Sequence, residues 1–270
     1  MVRPIITLTT DFGFRDSYVA EMKAVILSIC PEANIVDISH EIEKFSIRMG
    51  AYVLACAAPY FPKRTIHVAV VDPGVGTKRK PILIQTRNAY FIGPDNGILT
   101  LAIKDEKIVQ IREIANRKLM MPPISNTFHG RDIFAPTAAH LATNTKPEDF
   151  GKQIHRIVMP DFTKIIREKG KLIGKAIHVD DFGNIVTNFG EGELKLAKAD
   201  DVVVLEARRR KIKLKICRNY AEAQKRQTIG IIGSHRLLEI SIRRASAARR
   251  LNIRTGDEMI LYDTEENEQD

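Results

Sequence analysis

The period of the apolar residues changes once along this chain, and that change limits what it can fold into. Roughly the first 150 residues alternate short β-branched runs with amphipathic stretches of helical spacing, whereas from Leu172 onward only strand-length runs separated by turns remain. Pro4–Thr10 (P-I-I-T-L-T-T) reads as a first strand. Ser17 then offers an N-cap, and Val19, Met22, Ile26 and Ile29 recur at helical spacing until Pro31. Asn34–Ile38 reads as a second strand, Phe45–Ala58 as a second helix presenting Met49, Val53, Leu54 and Ala57, and Thr65–Val71 as a third strand. This β-α-β-α-β order predicts an α/β domain built on a largely parallel sheet covered by helices.

Pro81–Thr86 and Tyr90–Gly93 then predict a hairpin around Arg87–Ala89, G-P-D-N-G at Gly93–Gly97 a tight turn, and the residues from Ile98 a helix. An alanine-rich helix with Phe134, Ala138, Leu141 and Ala142 on one face follows Asp132. The pattern loosens from Phe150 to Gly170. Beyond it, Leu172–Val179, Asn184–Phe189, Val202–Glu206, Lys211–Ile216, Thr228–Ile232, Leu237–Ile242 and Glu258–Tyr262 predict a small all-β barrel or sandwich. The expected organisation is a first domain over 1–160, a linker over 161–171 and a β domain over 172–270, with an acidic tail from Glu265.

With 44% hydrophobic and 28% charged side chains among 270 residues, the chain has material for two cores and no signature of disorder. No apolar run approaches the roughly 18 residues of a membrane span, and the N-terminal residues enter a strand-like run without a secretory apolar region. A cytoplasmic protein with no membrane partner is expected. Cys30, Cys56 and Cys217 form no C-x-x-C pair and lie in or near apolar segments, as buried free thiols do. The net charge of +9, from 42 basic and 33 acidic residues, raises the question of nucleic acid. It is spread over both halves, and its densest run, Arg208–Lys215, alternates with Ile212, Leu214 and Ile216 like the solvated face of a strand. No nucleic-acid partner is expected.

Two predicted strands end in a carboxylate, at Asp11 and at Asp72. In V-V-D-P-G-V-G at Val70–Gly76 the strand opens into a loop, with Gly74 and Gly76 freeing the backbone, and Arg79 can fold back toward Asp72. An Asp capping the amides of a glycine-rich turn explains the same residues. His129, in T-F-H-G-R-D at Thr127–Asp132, reads either as a structural hydrogen-bonder before a helix or as part of the chemistry. The D-D-F-G-N loop holding Asp180, Phe182 and Asn184 reads as a structural turn or as a binding loop. Nucleophile-elbow, phosphate-loop, zinc-helix and dinucleotide fingerprints are absent from the sequence. A metal site made from His67, Asp72 and His129 is opposed by the cation at Arg79. An Asp, Arg and His set without a metal suits holding and polarising water, with the guanidinium stabilising incipient hydroxide.

T-T-D-F-G-F-R-D-S at Thr9–Ser17, D-I-S-H at Asp37–His40, V-V-D-P-G-V-G-T-K-R at Val70–Arg79, F-I-G-P-D-N-G at Phe91–Gly97, T-F-H-G-R-D at Thr127–Asp132 and D-D-F-G-N-I-V-T-N at Asp180–Asn188 carry a resemblance. With these runs the chain resembles the S-adenosylmethionine hydroxide adenosyltransferases, the adenosine-forming S-adenosylmethionine hydrolases, which are related to the fluorinating and chlorinating enzymes acting on the same substrate. The resemblance implies attack of water or hydroxide at the ribose 5′ carbon, yielding adenosine and methionine with no cofactor. It implies that Asp72, Arg79 and His129 position and activate the water. By the same matching Asp11 holds the ribose hydroxyls, Asp16 and Asp180 the methionine ammonium, and Phe182, Asn184 and the backbone near Ala247 frame the adenine. Ser234 belongs to the same substrate-binding set.

Halogenating relatives carry other residues in place of Asp72 and His129, and a carboxylate beside the attack line repels a halide. The resemblance further implies a homotrimer with its sites between subunits. Arg236 stands where the family usually has glycine, and Arg243–Ala248 replaces a pattern richer in Asn and Gly. Arg236 is expected either to reach the methionine carboxylate or to point to solvent. A non-catalytic S-adenosylmethionine or nucleoside sensor is the alternative function.

Overall fold

The computed structural model describes residues 3–194 and 200–262, and the chain divides after Pro160 into two compact units. The first contains β1 (Ile5–Thr10), α1 (Tyr18–Ile29), β2 (Asn34–Ser39), α2 (Ile47–Ala57), β3 (Ile66–Val70), β4 (Pro81–Thr86), β5 (Tyr90–Pro94), β6 (Ile108–Glu113) and α3 (Ala135–Ala142). Its sheet runs β2-β1-β3-β5-β4-β6. The pairings among β2, β1, β3 and β5 are parallel, while β4 is antiparallel to both β5 and β6. The sheet is therefore mixed, not largely parallel as the βα alternation predicts. The difference lies in the β4–β5 hairpin and in β6, an edge strand whose Ile108 and Val109 are exposed while Ile111 is buried.

Burial on both faces explains why β3 reads as an unbroken apolar run. Val68 and Val70 pack with Met22 and Ile26 of α1 and with Phe134 and Ala138. Ala69 and Val71 face the other way, toward Leu54 of α2, Ile82 and Ile98. Each buried valine contributes about 1.5 kcal/mol or more relative to exposure. No helix forms from Ile98. Its N–H is held by Asn96 Oδ1 at 3.1 Å, and the chain continues in short turns, with Thr100 N–H on Gly97 O at 3.1 Å and Glu106 N–H on Ile103 O at 3.1 Å.

The second unit contains β7 (Ile166–Glu168), β8 (Lys171–Val179), β9 (Ile185–Gly190), β10 (Val202–Ala207), β11 (Arg210–Cys217), β12 (Thr228–Ile232), β13 (Leu237–Ile242), α4 (Ala247–Leu251) and β14 (Glu258–Tyr262). Strands follow the order β14-β10-β11-β12-β13-β9-β8, and β14 pairs with β8, so seven strands close a barrel. Leu172, Phe189, Leu214, Ile240 and Leu261 are among the side chains that fill it. β7 pairs with β8 outside the ring. The stretch 161–171 thus carries the turn Asp161–Thr163 and a strand where a linker is expected. Among the described residues no helix is long and apolar enough to cross a membrane. The tail from Glu265 lies outside the described residues.

Candidate active site

The strand order places β1 between β2 and β3, so the chain crosses over β1 to reach β3 and the connections diverge there. Crevices at such switch points, beyond the carboxyl ends of the strands, are where open α/β sheets bind ligands. Thr10 pairs with Val70, so Asp11 leaves β1 beside the point where Val71 and Asp72 leave β3. Local geometry then turns the β3 loop inward. Val75 N–H bonds to Asp72 O at 3.2 Å and Thr77 N–H to Gly74 O at 3.1 Å. Gly76, at φ +76°, lies so close to the loop before α3 that a Cβ would sit 2.4 Å from the Asn126 carbonyl. Gly74 has no such constraint, its nearest neighbour to a built Cβ being 3.5 Å away.

This approach joins Asp72, Arg79 and His129. Arg79 Nε donates to Asp72 Oδ1 at 3.0 Å and Oδ2 at 2.9 Å, and Nη2 donates to Oδ2 as well. Nη2 also lies 2.7 Å from His129 Nδ1. A guanidinium only donates, so Nδ1 accepts and the neutral ring carries its proton on Nε2. Burial and then the Arg79 charge push the His129 pKa below the usual histidine value, against the pull of Asp72 and Asp132. Phe134 stacks beneath the guanidinium, 5.3 Å from its carbon. Arg79 Nη1 is buried and has no hydrogen-bond partner among the described residues.

His129 immediately precedes a π-helical turn, Gly130–Phe134, a wide turn that recurs at functional sites. Asp132 anchors that turn, accepting Ser125 N–H at 2.7 Å and Arg131 Nε at 2.7 Å. Arg131 reaches on to Glu21 at 2.9 Å. A hollow of about 350 Å³ lies here, walled by Phe12, Tyr18 and Phe128 and edged by Glu21, Ser125, Thr127 and Arg131. His67 is elsewhere. It sits in the core, with Nδ1 2.8 Å from Thr7 Oγ1 and its ring stacked on Phe91, and burial lowers its pKa to about 4. A metal set of His67, Asp72 and His129 is not assembled.

Asp11 is buried, and its Oδ2 accepts Phe45 N–H at 2.9 Å. Phe45 holds φ +66° with its ring 70% exposed beside that carboxylate, a feature composition alone does not reveal. Asp16 is exposed on the loop between β1 and α1.

In the second unit, Asp180 folds its own loop. Oδ1 accepts Asn184 N–H and Oδ2 accepts Asn184 Nδ2, each at 2.8 Å. Phe182 at the tip is 83% exposed. Gly183, at φ +84°, leaves no room for a Cβ, which would sit 2.1 Å from Ser246 Oγ, and its carbonyl accepts Ala248 N–H at 3.0 Å. The loop is thereby seated on the start of α4, where Ala247 is fully buried. Ser234 is exposed, its Oγ 3.5 Å from His235 Nδ1. Arg236 adopts φ +61°, which explains a glycine preference there, and it pairs with Glu191 at 2.9 Å. Glu239 is a carboxyl the sequence reading passes over. It is buried in β13, accepts Tyr220 OH at 3.2 Å, and has its pKa pushed up by burial and by Asp180. A lone acid within L-L-E-I-S-I is the signal that marks it.

The structure thus joins Asp72, Arg79 and His129 with Asp11 nearby in the first unit, and Asp180, Asn184 and the Gly183–Ala248 contact in the second. Residues 6–151 match the SAM hydroxide adenosyltransferase N-terminal domain and residues 174–260 the C-terminal domain of the same name. The chain is 40% identical over 269 residues to the (R)-S-adenosyl-L-methionine hydrolase of Methanocaldococcus jannaschii, covering 96% of each chain. Identity to the (R)-S-adenosyl-L-methionine hydrolase of Thermus thermophilus is 34% over 262 residues, 94% of this chain and 98% of that one. A crystal structure of an uncharacterized conserved protein from Thermotoga maritima superposes with a TM-score of 0.86 at 38% identity, over 96% of this chain and all of that one. With both domain models matched and such relatives along nearly its whole length, this chain belongs to the SAM hydroxide adenosyltransferase family.

Proposed function

We propose that the protein hydrolyses S-adenosyl-L-methionine to adenosine and methionine, by in-line attack of water at the ribose 5′ carbon, without metal or cofactor. The observation that carries this reading is the buried, unpartnered Nη1 of Arg79 within a hydrogen-bonded Asp72–Arg79–His129 set. A fixed cationic donor of this kind binds a water oxygen and favours its hydroxide character. Arg79 occupies three of the roughly four lone-pair positions of the Asp72 carboxylate, and the one remaining on Oδ1 can take the proton. His129 is not the base, because its Nδ1 lone pair is already engaged by Arg79. It shares Nη2 of the guanidinium with Asp72 and so helps to fix it.

The atoms balance simply. Water oxygen bonds to C5′ as the C5′–sulfur bond breaks, the bonding pair leaves with sulfur to give neutral methionine thioether, and one proton departs through Asp72. The sulfonium needs no protonation to leave, so alignment and desolvation supply most of the rate. Asp11 holds the ribose hydroxyls with its free oxygen, Asp16 and Asp180 face the ammonium, and Phe182, Asn184 and the backbone at Ala247 frame the adenine, with Ser234 at the methionine end. Residues 1–160 contribute the water-activating set and 172–270 complete the nucleoside pocket. The working form is a cytoplasmic homotrimer with sites between subunits. Incubation with S-adenosylmethionine and a chelator, followed by chromatography, tests the reading. Equal amounts of adenosine and methionine are expected. Intact substrate with retained binding would identify a sensor, and loss of activity on chelation would identify a metalloenzyme.

A further inference from the structure

His40, at the end of the D-I-S-H run, takes no part in the chemistry above, yet it is 1% exposed and lies beneath the loop that carries Asp11. Its Nε2 is 3.1 Å from Asp37 Oδ1, and its Nδ1 is 2.7 Å from Thr10 Oγ1. Thr10 Oγ1 lies 3.2 Å from Phe12 N, and Lys23 Nζ lies 2.6 Å from Asp37 Oδ2.

The direction of every bond in this chain follows from the two ends. A backbone N–H can only donate, so the Thr10 oxygen accepts from Phe12 and its hydroxyl proton goes to Nδ1. The imidazole proton then sits on Nε2, 3.1 Å from one Asp37 oxygen but without hydrogen-bond alignment, while the other Asp37 oxygen takes Lys23. A second bond runs beside the first, from Gly13 N–H to the His40 carbonyl at 2.8 Å. Phe12 and Gly13, the two residues after Asp11, are therefore both pinned from one residue, through its ring and through its backbone. Phe14 packs edge-on against the same ring at 5.0 Å. Gly13 is at φ +69°, a turn that glycine allows without steric cost.

We infer that His40 is a positioning residue for substrate binding, which acts through Thr10 and the Phe12–Gly13 amides to hold the Asp11 carboxylate against the ribose hydroxyls. The inference rests on the assignment of Asp11 to those hydroxyls. A residue that merely stabilised the fold would weaken all ligands alike. His40 instead sets the reading of the ribose.

Full-length His40→Ala, His40→Asn, Thr10→Val and Asp11→Asn proteins are titrated with adenosine and with 2′-deoxyadenosine by calorimetry, and kcat and KM for S-adenosylmethionine are measured. Thr10→Val is nearly isosteric and keeps the test open if His40→Ala does not fold. His40→Ala and Thr10→Val are expected to weaken adenosine by about tenfold, to shrink its preference over 2′-deoxyadenosine, and to raise KM more than they lower kcat. Their double variant is expected to be no worse than the poorer single, because both cut one chain. His40→Asn, whose amide oxygen can accept from Thr10, recovers part of the preference. If Asp11→Asn loses the preference while His40→Ala and Thr10→Val keep it, the inference is wrong and the ribose assignment stands. If Asp11→Asn keeps it, the ribose assignment fails and takes the inference with it.

Discussion

At the residue scale, the Asp72–Arg79 pair decides which substitutions are informative. Both side chains are less than a tenth exposed, so removing the carboxylate strands a buried guanidinium, a change that costs about 3–5 kcal/mol. Asp72→Ala would therefore confound unfolding with chemistry. Asp72→Asn keeps the shape and one acceptor. It is expected to lower kcat by about a hundredfold or more while S-adenosylmethionine affinity changes less than about tenfold, read by single-turnover kinetics and calorimetry. Acid should act through His129. Its pKa is lowered from the usual histidine value by burial and the Arg79 charge, so the acid-side inflection of kcat is expected below that value, where a proton on Nδ1 would face the Arg79 cation. A pH–rate profile with its inflection at 6.5 or above would contradict this. His67 governs stability instead. With a folded pKa of about 4 against 6.5, the unfolded chain takes up a proton that the folded chain refuses, so stability declines as pH falls across that window. His67→Gln should flatten part of that decline in urea titrations.

At the element scale, loops carry the consequences. Gly76→Ala forces a Cβ to 2.4 Å from the Asn126 carbonyl at a positive φ, so the β3 loop must move away from the π turn. Activity should fall by more than about tenfold with a stability loss of about 1–3 kcal/mol, measured by turnover and thermal melting. The opposite holds at Arg236. Its left-handed backbone costs about 1 kcal/mol that glycine avoids, and an exposed pair with Glu191 returns little, so Arg236→Gly should raise stability by up to about 1 kcal/mol.

What could be read from the sequence follows the same division. β8, β10 and β14 bury every other side chain over most of their length, so their period survives in the sequence, whereas β9 and β13 are buried nearly throughout and are marked only by short apolar runs between turns. β6 buries one isoleucine and leaves two apolar side chains outside, so its period is lost. Asp72 and Arg79 lie within one loop and their meeting follows from spacing. The contact of Arg79 with His129 spans 50 residues and depends on how closely two loops approach at Gly76, a distance that no pattern of residue types encodes. Glu239 is not legible as a buried acid because a strand with one acid among apolar residues still reads as a strand.

At the scale of the whole molecule, the change in period near residue 160 marks where two independently cored units meet, each with its own buried cluster. The proposed trimer, three copies of a 30.4 kDa chain, is checked by sedimentation at micromolar protein, where a monomer would contradict it. The barrel closure also has a consequence in time. The strands of the first unit are all in hand by Glu113 and its last long helix by Ala142, whereas the second unit pairs Met259 with Gly174 and Leu261 with Leu172. Its earliest long strand waits for its last, and pairings so distant in sequence form slowly. During synthesis the first unit can fold while the second is still an open sheet with two unpaired edges, so the α/β unit is finished well before the barrel closes.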